Sequence, residues 1–205
     1  MAISGIGSKG WKPLNTGLWE SLLCHDCEAY FNTEYEQPFQ KQWVAPSALP
    51  NSMDSESIHS AVFNYPIFKL FHLSILFRCS VSSLPTYREV RLGRHEDRIR
   101  QMLISKDAGL QSEYPILAFA VLNAKSEVEK RLITQPIVAR YDGHVVYGQI
   151  YAGAMWWISV TSHRNETFCS AGLQPSGHIT FIAEPMSEIG VIQDASVLLN
   201  RVRVN

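Results

Sequence analysis

The sequence is short of net charge: 18 Lys and Arg face 19 Asp and Glu, for a formal charge of -1. A chain so balanced has no global basic field with which to coat nucleic acid, so any such contact has to be local. A long apolar run is also missing. The most apolar stretch, Tyr65 to Phe77, includes Lys69 and His72 and falls short of the about 20 apolar residues a bilayer span needs. Residues 1 to 20 mix Gly, Ser, Lys and Trp without an apolar h-region; no secretory signal is visible, and a cytoplasmic, non-membrane protein is expected. There is no Gly-rich phosphate loop and no Gly-x-Ser-x-Gly elbow, which removes the usual support for nucleotide-binding and serine-hydrolase readings. Cysteines are few: Cys24, Cys27, Cys79 and Cys169. In a reducing compartment they are expected as free thiols, with Cys24 and Cys27 engaged where metal is present.

What is there describes an ordinary globular chain, 205 residues long and 46% hydrophobic, long enough to bury a substantial core as one domain. Residues 1–60 read as a knuckle-bearing arm and loop, 61–110 as a helical core and 111–205 as an antiparallel sheet. Residues 1 to 20, with turn signals at Lys12-Pro13 and Asn15-Thr16-Gly17, predict loop or a short strand pair. From Leu22 to Trp43 the spacing of Tyr30, Phe31, Tyr35 and Phe39 fits one face of a helix, broken or kinked near Pro38. Residues 44 to 60, rich in Pro and Ser, predict an exposed loop. Tyr65 to Ser83 is apolar on nearly all sides and predicts the central helix; Arg94 to Ser105 predicts a second, carrying Ile99, Met102 and Leu103 on one face. Strands are expected at 115–122, 134–140, 145–151, 155–161 and 178–183, with a last one near 196–204. Asp142-Gly143 marks a hairpin between two of them. The expected fold is α+β, with a CxxC knuckle and core helices packed on a C-terminal antiparallel sheet.

Two patterns carry candidate chemistry. Cys24-x-x-Cys27 is the spacing at which two thiolates clasp one zinc ion, but a structural site takes four ligands. His25, His59, His72, His95, Cys79 and Cys169 are candidates for the rest, none in a second CxxC or CxxH. The second pattern is a basic strip, Arg78, Arg88, Arg91, Arg94, Arg98, Arg100 and Lys106, interrupted by Glu89, Glu96 and Asp97. Arginines this dense can grip phosphates bidentately; the interleaved acids can equally pair with them into a solvated face. Arg88, Arg91, Arg94, Arg98 and Arg100 are the candidate nucleic-acid contacts. His95-Glu96 reads as a helix start, where acidic residues offset the dipole. His144, His163 and His178 lie near strand ends, where Tyr147, Trp156 and Trp157 could border a pocket.

The stretches Gly17-Leu18-Trp19-Glu20-Ser21-Leu22-Leu23-Cys24-His25-Asp26-Cys27-Glu28, Tyr35-Glu36, Tyr65 to Arg78 and Val90 to Leu103 together resemble uncharacterised bacterial and phage-borne proteins of an HNH-endonuclease-like family. The likeness covers about half of the chain. It implies a four-cysteine zinc site, of which Cys24 and Cys27 are one half, and a ββα-metal nuclease site whose Ser-His element lies upstream with the other CxxC. Neither upstream element is in this sequence, so the resemblance carries over two metal ligands and no catalytic residue. It implies zinc as the cofactor. A non-catalytic binding or accessory protein of a phage or mobile-element defence system is expected. Alternatives are an HNH-type nuclease completed by a second subunit, and a zinc-stabilised module holding nucleic acid through the arginine strip.

Overall fold

A computed structural model describes residues 20–189 together with the backbone of 2–4 and 12–14. The fold is α+β. The first helical segment runs without interruption from His25 to Val44: α1 (His25–Phe31), a π-helical Asn32–Glu36, α2 (Gln37–Phe39) and a π-helical Gln40–Val44. The expected break at Pro38 does not occur. Pro38 lies inside this run, directly behind the π-helical turn, where the change of hydrogen-bond ladder from five to four residues falls at the position that has no N–H to donate.

The central helix, α3 (Tyr65–Val81), starts at Asn64, whose side chain accepts the Ile67 N–H, the usual service of an N-cap. A 3₁₀ turn at Pro85–Tyr87 leads to α4 (Arg94–Ser105), which closes on Lys106 in the left-handed conformation. These helices form one layer. Against them lies a six-stranded sheet of order β3-β9-β4-β8-β7-β6, made of β3 (Ile58–Val62), β4 (Ile116–Leu122), β6 (Ile137–Tyr141), β7 (His144–Tyr151), β8 (Ala154–Val160) and β9 (His178–Pro185). A second, three-stranded sheet joins β1 (Ala2–Ser4), β2 (Lys12–Leu14) and β5 (Ile133–Thr134), so the arm does contain a strand pair. The expected strand at 196–204 lies outside the described residues.

Two sheet expectations need correction. The sheet is mixed rather than antiparallel, because β4 and β9 run parallel. The connection after β8 forms a short helix, α5 (Glu166–Ala171), capped by Asn165, and then passes the start of β4. Leu173 N–H donates to Ile116 C=O at 2.8 Å there, and a Cβ on Gly172 would meet that same carbonyl oxygen at 2.2 Å. The chain therefore re-enters the sheet on the far side of β4, antiparallel to β8 and so parallel to β4. The sheet is also not wholly C-terminal: β3, inside a stretch expected to be loop up to residue 60, pairs with β9.

The sheet's two faces carry separate cores. The helix-side core gathers Tyr35, Phe39, Trp43, Phe68, Phe71, Trp156 and Phe181; the opposite core gathers Leu117, Phe119, Met155, Trp157 and Phe168 under α5 and α6 (Met186–Ile189). Asp142 and Gly143 both have positive φ, 51° and 80°, as the two-residue turn joining β6 and β7 requires. Among the described residues no helix is long and apolar enough to cross a membrane.

His72, on α3, is fully buried, hydrogen-bonded through Nδ1 to the Tyr151 hydroxyl and packed on the Trp156 ring at 4.1 Å. Burial pushes its pKa down to about 3. The folded state therefore keeps it neutral while the unfolded chain, with the ordinary value near 6.5, takes up a proton. Stability is full above about pH 6.5 and is lost as pH falls from there toward 3. Between pH 7.5 and 5 this one group should remove about 2 kcal/mol. Urea titrations of wild type and His72→Phe at both pH values measure it, and the variant should show a correspondingly smaller loss.

Candidate metal centre

Cys24 is the N-cap of α1, with extended backbone, and its sulfur accepts the Cys27 N–H at 3.4 Å. Both thiols are exposed, whereas Cys79 and Cys169 are buried. The Cys27 N–H and then its thiol favour the Cys24 thiolate, lowering the Cys24 pKa. Cys27, donating to that sulfur, is shifted up.

Contacts from the ends of α3 and α4 hold the chain on either side of the pair. Glu20 accepts hydrogen bonds from the Ser82 hydroxyl at 2.5 Å and from the Ser83 N–H at 3.0 Å, just past the end of α3, and these hold its carboxyl below the ordinary value. One turn further along, the Tyr30 hydroxyl donates to Leu103 C=O at 3.0 Å at the end of α4. Beyond it, Glu34 pairs with Lys106 at 2.7 Å and Glu36 with Arg78 at 2.6 Å. The thiol pair is exposed, between these tethered positions.

The donor set fits half of a structural zinc site. None of the other expected ligands joins it. His59 Nε2 is hydrogen-bonded to Ala48 C=O at 2.9 Å, His95 Nδ1 to the Tyr114 hydroxyl at 3.0 Å, and His72 lies in the core. Among the described residues no three His, Cys, Asp or Glu side chains stand together as a metal site. Residues 1–19 and 190–205 contain, of these types, Asp194 alone. Among the described residues the pair therefore stands as two exposed thiols, two short of the four donors that a structural zinc site takes.

Several arginines of the strip have a polar partner. Arg88 pairs with Glu89 at 3.1 Å, Arg100 with Asp97 at 3.6 Å, and Arg98 with Glu113 at 2.9 Å. Arg94 donates to the Ser162 hydroxyl. Arg91 is exposed, and its carbonyl accepts the Tyr147 hydroxyl at 2.9 Å. The expected aromatic pocket is likewise divided. Trp156 faces the helix-side core and Trp157 the opposite one, while Tyr147 and Trp156 line a small cleft with His72. His144 Nδ1 instead meets the Thr161 hydroxyl at 3.0 Å.

One buried group was not singled out in the sequence beyond its interrupting an apolar run. Lys69 is buried on α3, donates to Leu110 C=O at 2.7 Å and to the Tyr65 hydroxyl at 3.1 Å, and is pushed down to about 8 by burial. Its position inside the most apolar segment was the one available signal.

Compared with known proteins, the sequence matches no family model and no curated protein, and the fold matches no solved structure.

In the native protein a disulfide-exchange reagent such as Ellman's should titrate two thiols rapidly, Cys24 ahead of Cys27, and all four only in denaturant. Rapid reaction of Cys79 or Cys169 would contradict the packing described.

Proposed function

We propose that this chain is a non-catalytic binding or accessory protein that joins a partner polypeptide through a shared zinc ion, Cys24 and Cys27 supplying two thiolates and the partner the remaining ligands. The resemblance to phage-borne HNH-like proteins suggests a defence or mobile-element setting. The observation that carries the reading is the exposure of Cys24 and Cys27 on one helix turn, with no third metal ligand grouped with them among the described residues. Thiolates soft enough for zinc, held at the surface and left two short of a tetrahedron, suit completion by another chain. Glu20 ahead of the pair and Tyr30 behind it tie this stretch to the ends of α3 and α4, which lowers the cost of ordering it on docking.

Titration of the reduced full chain with Co²⁺ tests the site. A thiolate-to-cobalt absorption band with the intensity of two thiolates per ion is expected, displaced by Zn²⁺ and reduced in Cys24→Ser and Cys27→Ser. A spectrum with no cysteine-dependent band would reject the proposal. Plasmid incubated with the chain and Mg²⁺, Mn²⁺ or Ni²⁺ should remain uncut; cleavage would replace the binding reading with a nuclease.

A further inference from the structure

The sheet ends on one side in β3, Ile58–Val62, which pairs only with β9 among the described strands. On that inner side Ala183 N–H donates to Ser57 C=O and Phe63 N–H to Gly177 C=O, both at 2.9 Å. Antiparallel pairing alternates, so odd-numbered residues turn their backbone groups toward β9 and Ile58, Ser60 and Val62 turn theirs outward. The side chains of those three residues share the sheet face away from the main helix layer, since each stands opposite Ile182, Thr180 and His178 rather than Phe181 or Ile179. They are exposed: Ile58 is 59% and Val62 69% accessible.

Natural sheets guard such edges with charge or proline. The opposite edge does so, because β6 carries exposed Arg140 and is preceded by Pro136. β3 has neither across Ile58–Val62. Its one imidazole, on His59, is tied back to Ala48.

We infer that β3 is the interface of a two-fold dimer, in which β3 of a second copy pairs antiparallel with it about Ser60. The sequence around Ser60 is self-complementary in this register. Ser60 faces Ser60 of the second copy, and Ile58 faces Val62 in both directions. All three outward residues on each strand then donate their N–H and accept at their C=O across the axis. β-branched residues directly opposite one another are favourable cross-strand neighbours. No charged residue lies within Ile58–Val62, so no like charges meet across the paired strands. Guarded β6 edges at both ends of the joined sheet stop growth at two copies, as closed two-fold symmetry requires.

Sedimentation or light scattering on the full chain tests this, with and without chelator. Wild type should be a dimer of twice the chain mass, insensitive to chelator. Ser60→Pro removes an outward N–H that β9 does not use; it should give a monomer with unchanged circular dichroism. Ile58→Glu and Val62→Lys should each weaken the dimer by about tenfold or more, and the double variant should recover it, because the new carboxylate and ammonium face one another across the axis. A wild-type monomer at every soluble concentration overturns the inference. So does a dimer that survives Ser60→Pro, and one that dissolves on chelation belongs to the thiol pair instead.

Discussion

The arrangement depends on one aromatic stripe. Phe31, Tyr35, Phe39 and Trp43 recur every fourth residue and are all buried. In a regular α-helix a step of four overshoots a full turn by about 40°, so such a stripe would wind off the contact face within three steps. The π-helical turns at Asn32–Glu36 and Gln40–Val44 are wider, closing on the fifth residue, and bring each ring back into line. Phe39 then stacks on Phe71 at 3.7 Å, Phe31 meets Phe77 at 6.4 Å, and Trp43 reaches past α3 to Trp156 at 5.0 Å and donates to Ala152 C=O at 2.9 Å. The first helix is thereby clamped antiparallel to α3, and its thiol-bearing start is fixed beside the end of α3.

A helix as apolar as α3 has little in its pattern to choose which side faces where. Two of its three buried polar side chains, Lys69 and His72, supply the distinction, the third, Ser74, bonding only within the helix. His72 meets Tyr151 on the sheet, and Lys69 holds the Leu110 carbonyl in the connection from α4 to β4. A wrong rotation would strand an imidazole and an amine without partners, a penalty of about 1–3 kcal/mol or more for each buried polar group. Lys69 and His72, which interrupt the apolar run, thus set the helix's rotation and register.

What could be read from the sequence follows from how local each determinant is. Asp142-Gly143 announces its turn because positive φ is demanded at both positions. Arg94–Ser105 and Tyr65–Val81 announce themselves by length and periodicity, and the elements fall within a residue or two of expectation. β3 was hidden because its apolar residues, Ile58 and Val62, are separated by Ser60 and follow a Pro- and Ser-rich stretch; only β9, more than a hundred residues later, makes it a strand. The parallel β4–β9 pairing was illegible for the same reason, since it follows from where Gly172 lets the chain pass Ile116. At the candidate site the thiol pair could be read from spacing alone. The quenching of Arg98 could not, because its partner Glu113 stands fifteen residues away across a loop.

The thiol pair and the β3 edge occupy opposite ends of α3. β3 finishes two residues before α3 begins, while Glu20 secures the chain ahead of Cys24 to Ser82 and Ser83 just past its far end. Seventeen helical residues separate those ends by about 25 Å, too far for one contact to occlude the other. Two copies joined through β3 would therefore carry their thiol pairs at the remote ends of the two central helices, free to engage separate partners. A two-fold axis at one end and, under the proposed function, a shared metal ion at the other would make the dimer bivalent. Where both partners belong to one assembly, bivalence raises the effective concentration of the second attachment without any added contact. A weak, two-thiolate grip on a shared ion is the kind of contact that gains most from such doubling.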